Sequence, residues 1–213
     1  SGVAGHQISH SMGVEIDWFT CKTLETANDW AAYYGDETDT LFLNLTNATV
    51  DGVSYWNDTK PNSTYITLGD TLRANTADNE YIMYYKCKSE TWTIGTYQGT
   101  GVAGNFIETK DVNGVARKPR RVIVKGITNT GEWFVFDSER TLGGVGATYI
   151  KLNAPNTETS NVVYEMDFSI NGFNVGREGT SANVLDVTYL YLVEFDTDNT
   201  GTSGSYFDMA TDT

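Results

Sequence analysis

Cations are scarce in this sequence of 213 residues: 14 Lys and Arg stand against 28 Asp and Glu, a formal net charge of −14. A surface that binds nucleic acid or an anionic membrane needs clustered positive charge to neutralise phosphate, so neither is an expected partner. The one basic cluster, Arg117-Lys118-Pro119-Arg120-Arg121, reads as a solvated strand lead-in that offsets nearby acids. Only two cysteines occur, Cys21 and Cys87. Both fall near the ends of expected strands and read as small core hydrophobes, not as a disulfide. The two histidines, His6 and His10, are four residues apart. That spacing suits a metal on a helix, but along a strand it separates them by about 13 Å, so no metal and no cofactor is expected. With both histidines in one N-terminal segment and no Gly-x-Ser-x-Gly turn, a Ser-His-Asp arrangement is excluded as well.

Long apolar runs are missing too. No stretch of 18 apolar residues exists, so no membrane-spanning helix and no membrane insertion are expected. Nor does any segment of eleven or more residues carry apolar positions at i, i+3, i+4 and i+7 behind a cap, which leaves room for little helix.

What the sequence does have is aromatic residues, 13% of the chain with 13 tyrosines, set in short runs between Gly, Asn and Asp. Such runs are strands when they recur every eight to twelve residues. The expected strands are 7–10, 17–22, 29–34, 40–45, 65–68, 80–87, 91–97, 105–109, 121–125, 133–137, 148–152, 164–170, 173–175 and 188–195. The fold class is therefore all-β, of antiparallel sandwich or jelly-roll-like architecture.

The chain also echoes itself. Lys22 and Trp30 lie eight residues apart, as do Lys125 and Trp133, each 103 further on. Gly2-Val3-Ala4-Gly5 recurs as Gly101-Val102-Ala103-Gly104, and Asp78-x-x-Tyr81 recurs as Asp186-x-x-Tyr189. The drift in offset is what small loop insertions between two copies of a unit of roughly a hundred residues produce. The expected organisation is two pseudo-repeated sandwich units, 1–95 and 96–196, followed by a polar tail, 197–213. Lys22, Trp30, Tyr81, Lys125, Trp133 and Tyr189 are the expected structural anchors of the repeat, with Trp30 and Trp133 in the core.

Candidate chemistry concentrates in the polar stretch 46–64, a long connection of the kind that is functional or mobile. Within it Tyr55-Trp56-Asn57-Asp58 joins an aromatic platform to hydrogen-bonding side chains, which suits stacking on the apolar face of a sugar. The alternative is that Trp56 plugs the end of the sandwich. Asp36, Glu37 and Asp39, or Asp137 and Glu139, are the carboxylates a glycosidase would draw on, but they sit in turns and read as solvated. The sequons at Asn44, Asn47, Asn57 and Asn62 are expected to be unmodified in a bacterially made protein. Asp196-x-Asp198-x-Thr200-Gly201 matches only the first half of a calcium loop.

The stretch Ser54-Tyr-Trp-Asn-Asp-Thr-Lys-Pro-Asn-Ser-Thr-Tyr-Ile-Thr-Leu-Gly69, with Thr93-Ile-Gly-Thr-Tyr-Gln-Gly-Thr-Gly101, resembles a repeat domain of bacteriophage tail proteins of marine or cyanophage type. The resemblance covers roughly residues 2–196, departing where the first copy has Val14-Glu15-Ile16 in place of the second copy's Lys118-Pro119. It brings no catalytic residues. It implies a non-enzymatic virion protein: a tail fibre or spike segment in an extracellular appendage, a homo-oligomer such as a trimer beside other virion proteins, with host surface glycans as the expected contact. A purely architectural capsid-decoration or filament subunit and a polysaccharide-cleaving enzyme are the competing readings.

Overall fold

The computed structural model describes residues 1–140, 147–161, 166–176 and 182–196. Short strand-forming runs give β1 (His6–Ser9), β2 (Trp18–Thr23), β3 (Ala31–Tyr33), β4 (Asp39–Phe42) and β5 (Val50–Asp51), of which β2 and β3 are buried on both faces. One turn of helix, α1 (Val53–Trp56), precedes β6 (Tyr65–Leu68), β7 (Tyr81–Lys86), β8 (Trp92–Gln98) and β9 (Asn105–Glu108). The second half holds β10 (Pro119–Gly126), β11 (Trp133–Asp137), β12 (Ala147–Lys151), β13 (Thr159–Asn161), β14 (Met166–Ser169), β15 (Gly172–Val175) and β16 (Thr188–Phe195). All pairings between these strands are antiparallel.

Four sheets result. A five-stranded sheet, ordered β5-β4-β3-β2-β7, carries the small sheet β1-β6 on one face. A six-stranded sheet, β13-β12-β11-β10-β16-β8, is covered on one face by β14-β15-β9. The alternation of side chains along each strand explains the layering, because successive residues point to opposite faces. In β2 and β3, Phe19, Cys21, Ala31 and Tyr33 point into the core shared with α1 and β6. Trp18 and Ala32, one position off, point the other way and meet Trp92, Trp133, Leu190 and Leu192 of the six-stranded sheet. That sheet sends Val122, Val124, Phe134, Phe136 and Tyr189 to its own core against Ile107, Phe173 and Val175. The order of layers is small sheet, large sheet, large sheet, small sheet, with an apolar core in each gap.

Registers coincide between the halves. Adding 103 to Phe19↔Tyr33, Thr20↔Ala32 and Cys21↔Ala31 gives Val122↔Phe136, Ile123↔Val135 and Val124↔Phe134, the pairs seen in β10–β11. Phe19↔Tyr85 and Thr23↔Tyr81 in β2–β7 correspond to Val122↔Val193 and Gly126↔Tyr189 in β10–β16, where β7 and β16 differ by 108. Asp78 and Asp186 share a left-handed backbone, with φ of 64° and 62°. The boundary expected between 95 and 96 falls inside β8, a strand that pairs with β16 of the second half.

Three of the expected strands, 65–68, 133–137 and 188–195, have the observed bounds. The stretch 46–64 departs from a bare loop: it holds β5 and α1, and its Tyr55 and Trp56 are buried. Gly69 shows why it is fixed, since a Cβ there would lie 2.0 Å from the Ser54 carbonyl oxygen. Only glycine lets β6 end against α1, where its amide donates to the Tyr55 carbonyl at 2.8 Å. Cys21 and Cys87 are free thiols, Cys21 fully buried. Burial pushes the Cys21 thiol up to about 12, against a smaller opposing backbone hydrogen bond, so it stays protonated at neutral pH. The calcium-like motif from Asp198 onward and the tail 197–213 lie outside the described residues.

Candidate functional site

The four residues expected to form a sugar platform do not present one. Trp56 is 1% exposed. Its ring packs edge-on against Phe19 at 4.7 Å and Tyr33 at 6.3 Å, and its indole N–H donates to the Asp39 carbonyl at 3.1 Å. Tyr55 is buried beside it, edge-on to Phe42. Asn57 caps α1 in the left-handed region, φ 55°, and Asp58 follows at φ 44° on the surface. Correcting the expectation, the aromatic pair is a plug at the end of the first half's core, and neither ring offers a free face to a ligand. Polar neighbours in sequence concealed this because the left-handed residues turn the chain sharply out of the core just after Trp56.

The repeat anchors divide. Trp133, Lys125 and Tyr189 are fully buried, whereas Lys22, Trp30 and Tyr81 are half-buried. Trp30 is thus not the core residue expected; it stacks on Tyr84 at 6.3 Å at the margin of the sheet. Lys125 donates to the carbonyls of Gly131 at 2.8 Å and Thr46 at 3.1 Å, tying the halves together. Burial draws its ammonium down to about 8, partly opposed by the Glu132 carboxylate.

The carboxylates weighed for hydrolysis are engaged at separate places, Asp36 in a loop, Asp39 at the start of β4 and Asp137 at the end of β11. Asp36 accepts from the Thr38 amide and hydroxyl, Asp39 from the Tyr34 hydroxyl, and Asp137 from Arg120 and the Glu139 amide. His10 is also accounted for: Nδ1 accepts from the Met12 amide and Nε2 faces the Asn62 carbonyl at 3.0 Å. Each cation of the basic cluster faces an acid, Arg117 to Asp111, Lys118 to Asp196, Arg120 to Asp137 and Arg121 to Glu194.

What the fold does build is a cleft of about 190 Å³ between the two large sheets. Trp18, Thr20, Leu43 and Lys86 line it from the first half; Arg121, Ile123, Leu152 and Glu194 line it from the second, with Trp92 and Leu192. Under the 103, 108 and 109 offsets these sets correspond, Trp18 to Arg121, Thr20 to Ile123, Lys86 to Glu194 and Leu43 to Leu152. Positions that match in sequence thus line one cleft from opposite sheets, as they do around the axis of an isologous dimer. Glu194 receives Lys86 at 3.0 Å and the Arg121 guanidinium, and the Lys86 ammonium lies 5.6 Å from the Trp92 ring centre. Burial raises the Glu194 carboxyl, but the hydrogen bonds and charges of Arg121 and Lys86 prevail and hold it below its ordinary value. The cleft has apolar walls and one ionised triad at its rim. It is below the size of drug-like sites and takes a single small ring or side chain.

Two buried asparagines escaped the reading of the sequence. Asn75 Nδ2 donates to the carbonyls of Val3 and Gly69, and its Oδ1 accepts from the Gly2 amide. Asn183 Nδ2 donates to the carbonyls of Val102 and Gly176, and its Oδ1 accepts from the Thr100 amide. The signal was present as Ala74-Asn75 and Ala182-Asn183, six residues before Tyr81 and Tyr189.

No curated protein and no solved structure matches the chain. One family does, and its match runs through both halves from residue 1 to residue 196. The chain, with its four-layered β architecture, belongs to the family described as a domain of unknown function, DUF7483.

Proposed function

We propose that the protein is a non-catalytic structural module of a bacteriophage tail, a fibre or spike segment in an extracellular appendage. It works as a homo-oligomer, a trimer being one such form, beside other virion proteins. The observation that supports this best is where the reactive and aromatic side chains are spent. Trp56, Trp133, Lys125, Asn75 and Asn183 hold layers and halves together, while Asp36, Asp137 and Glu194 bind nearby amides or neutralise arginines. A body of stacked sheets with its polar side chains committed internally resists shear and presents variable loops without unfolding. Contact with host glycans, in this reading, moves from the Tyr55–Asp58 stretch to the cleft between the large sheets. There the half-exposed Lys86, Arg121 and Glu194 side chains supply hydrogen bonds to hydroxyls at the rim of a cleft whose apolar floor includes the largely buried Trp18 and Trp92.

Immunogold labelling of purified virions with an antibody to this chain tests the location. Label along the tail is expected, and label confined to infected-cell lysate sinks the reading. The burial of Trp56 favours a second reading, a purely architectural subunit with no ligand. A glycan array separates the two: signal from the intact protein that Arg121→Gln abolishes supports the cleft, while a blank array leaves only the architectural role.

A further inference from the structure

Two strands hold the same place in the two halves, yet only one is covered. β16 is flanked by β10 on one side and, from Thr188↔Gln98 to Glu194↔Trp92, by β8 on the other. β7, which maps to β16 through the offset of 108, pairs with β2 and ends its sheet, with no further strand beside it among the described residues. Its Tyr84 is 59% exposed. An open strand edge offers a row of unpaired amides and carbonyls, a template for another strand.

The groups that receive β8 are repeated beside β7. Tyr97 of β8 stacks on Tyr189 at 5.1 Å and donates its hydroxyl to the Ala182 carbonyl at 2.7 Å. The corresponding pair in the first half is Tyr81, half-buried, and the Ala74 carbonyl, which receives the Cys21 thiol at 3.8 Å. Beyond β8 the chain enters the second asparagine clamp through the Thr100 amide, 2.9 Å from Asn183 Oδ1. The Ser1 amine enters the first clamp the same way, 3.2 Å from Asn75 Oδ1. Ser1 therefore holds the place at the first clamp that Thr100 holds at the second.

We infer that the two halves are copies of one unit and that the outer edge of β7 is a strand-acceptor site. Its occupant is a β8-type strand handed over by another copy of the unit, as the first half hands β8 to the second. It runs antiparallel to β7 in the register β8 keeps with β16, its tyrosine opposite Tyr81 and its tryptophan opposite Lys86. Main-chain bonds supply affinity and the tyrosine supplies register, the division found wherever a strand is added to a sheet edge. Units joined in this way form a chain of sandwiches, each closed by a strand from its neighbour.

The test joins the sequence Thr91–Gly99 directly ahead of Ser1 in the full chain and follows amide exchange and Tm. The inference expects the fast-exchanging amides of β7 to slow by about a hundredfold or more. It also expects Tm to rise by several degrees. The same extension carrying Ile94→Pro and Tyr97→Ala in the added copy should produce neither change. Three results overturn the inference: unchanged exchange in β7 with the intact extension, equal protection from the proline-bearing extension, or β7 protection that grows with concentration in the unextended chain as two β7 edges pair.

Discussion

Lys22 with Trp30 and Lys125 with Trp133 occupy matching places in the two halves, and their surroundings differ. In both, the lysine reaches back to a carbonyl in the turn ahead of the tryptophan, Asn28 for Lys22 and Gly131 for Lys125. In both, the tryptophan amide donates to an asparagine, Asn44 or Asn153, whose Nδ2 in turn donates to Asp29 or Glu132. Only the second pair is sealed in: the Trp133 indole donates across the interface to the Phe42 carbonyl at 3.0 Å, and Lys125 reaches Thr46. Local sequence sets the hairpin and its side-chain bonds. What packs over it sets burial, and so decides which half carries stability.

The largest expected asymmetry follows from that difference. Trp133→Ala should remove about 3–5 kcal/mol, the range for a fully buried aromatic, while Trp30→Ala should remove less than about 1 kcal/mol. Urea denaturation of the two variants checks this, and equal losses would mean that the halves are energetically alike.

Next comes pH. The Lys125 ammonium is held down to about 8 in the fold against 10.5 when unfolded. Between those values the unfolded chain binds more protons, so stability rises with pH across the window and is lowest, for this group, below it. The full difference is on the order of 3 kcal/mol. Tyrosines buried in the fold, Tyr97 above all, have raised values and act against stability near and above pH 10, so the rise should be read between pH 8 and 9.5. Lys125→Met should flatten that rise in a series of denaturation curves; an unchanged slope would assign it to another group.

The asparagine clamps should show the opposite behaviour, a match between halves. Asn75→Ala and Asn183→Ala each strand buried backbone groups and should each cost about 2 kcal/mol. Thermal melts that differ widely would show that one clamp is dispensable.

The strands were legible where aromatic and β-branched residues alternate between turn residues, as in Trp133–Asp137 and Thr188–Phe195. β5 and β13 were not, because runs of two or three residues such as Val50-Asp51 and Thr159–Asn161 are too short to show alternation and become strand only by pairing with a neighbour already in place. α1 is one turn with no side-chain cap, too short to have periodicity. The cleft was illegible for a different reason. Trp18 lies opposite Lys86 on neighbouring strands, and so does Arg121 opposite Glu194, but the two pairs are far apart in the chain and meet only because two sheets stack. The internal offsets held part of the information, since Trp18 and Arg121, Thr20 and Ile123, and Lys86 and Glu194 line the same cleft from the two sheets.

The central claim is that β7 and β16 are the same strand in two settings, one open and one covered. Residue-resolved amide exchange on the chain of 213 residues tests it most directly. Along Tyr81–Lys86 the amides should alternate, those facing β2 slow and those facing outward close to unprotected, while Tyr189–Glu194 is slow at every residue. Uniform protection along both strands, or alternation along β16, would contradict it.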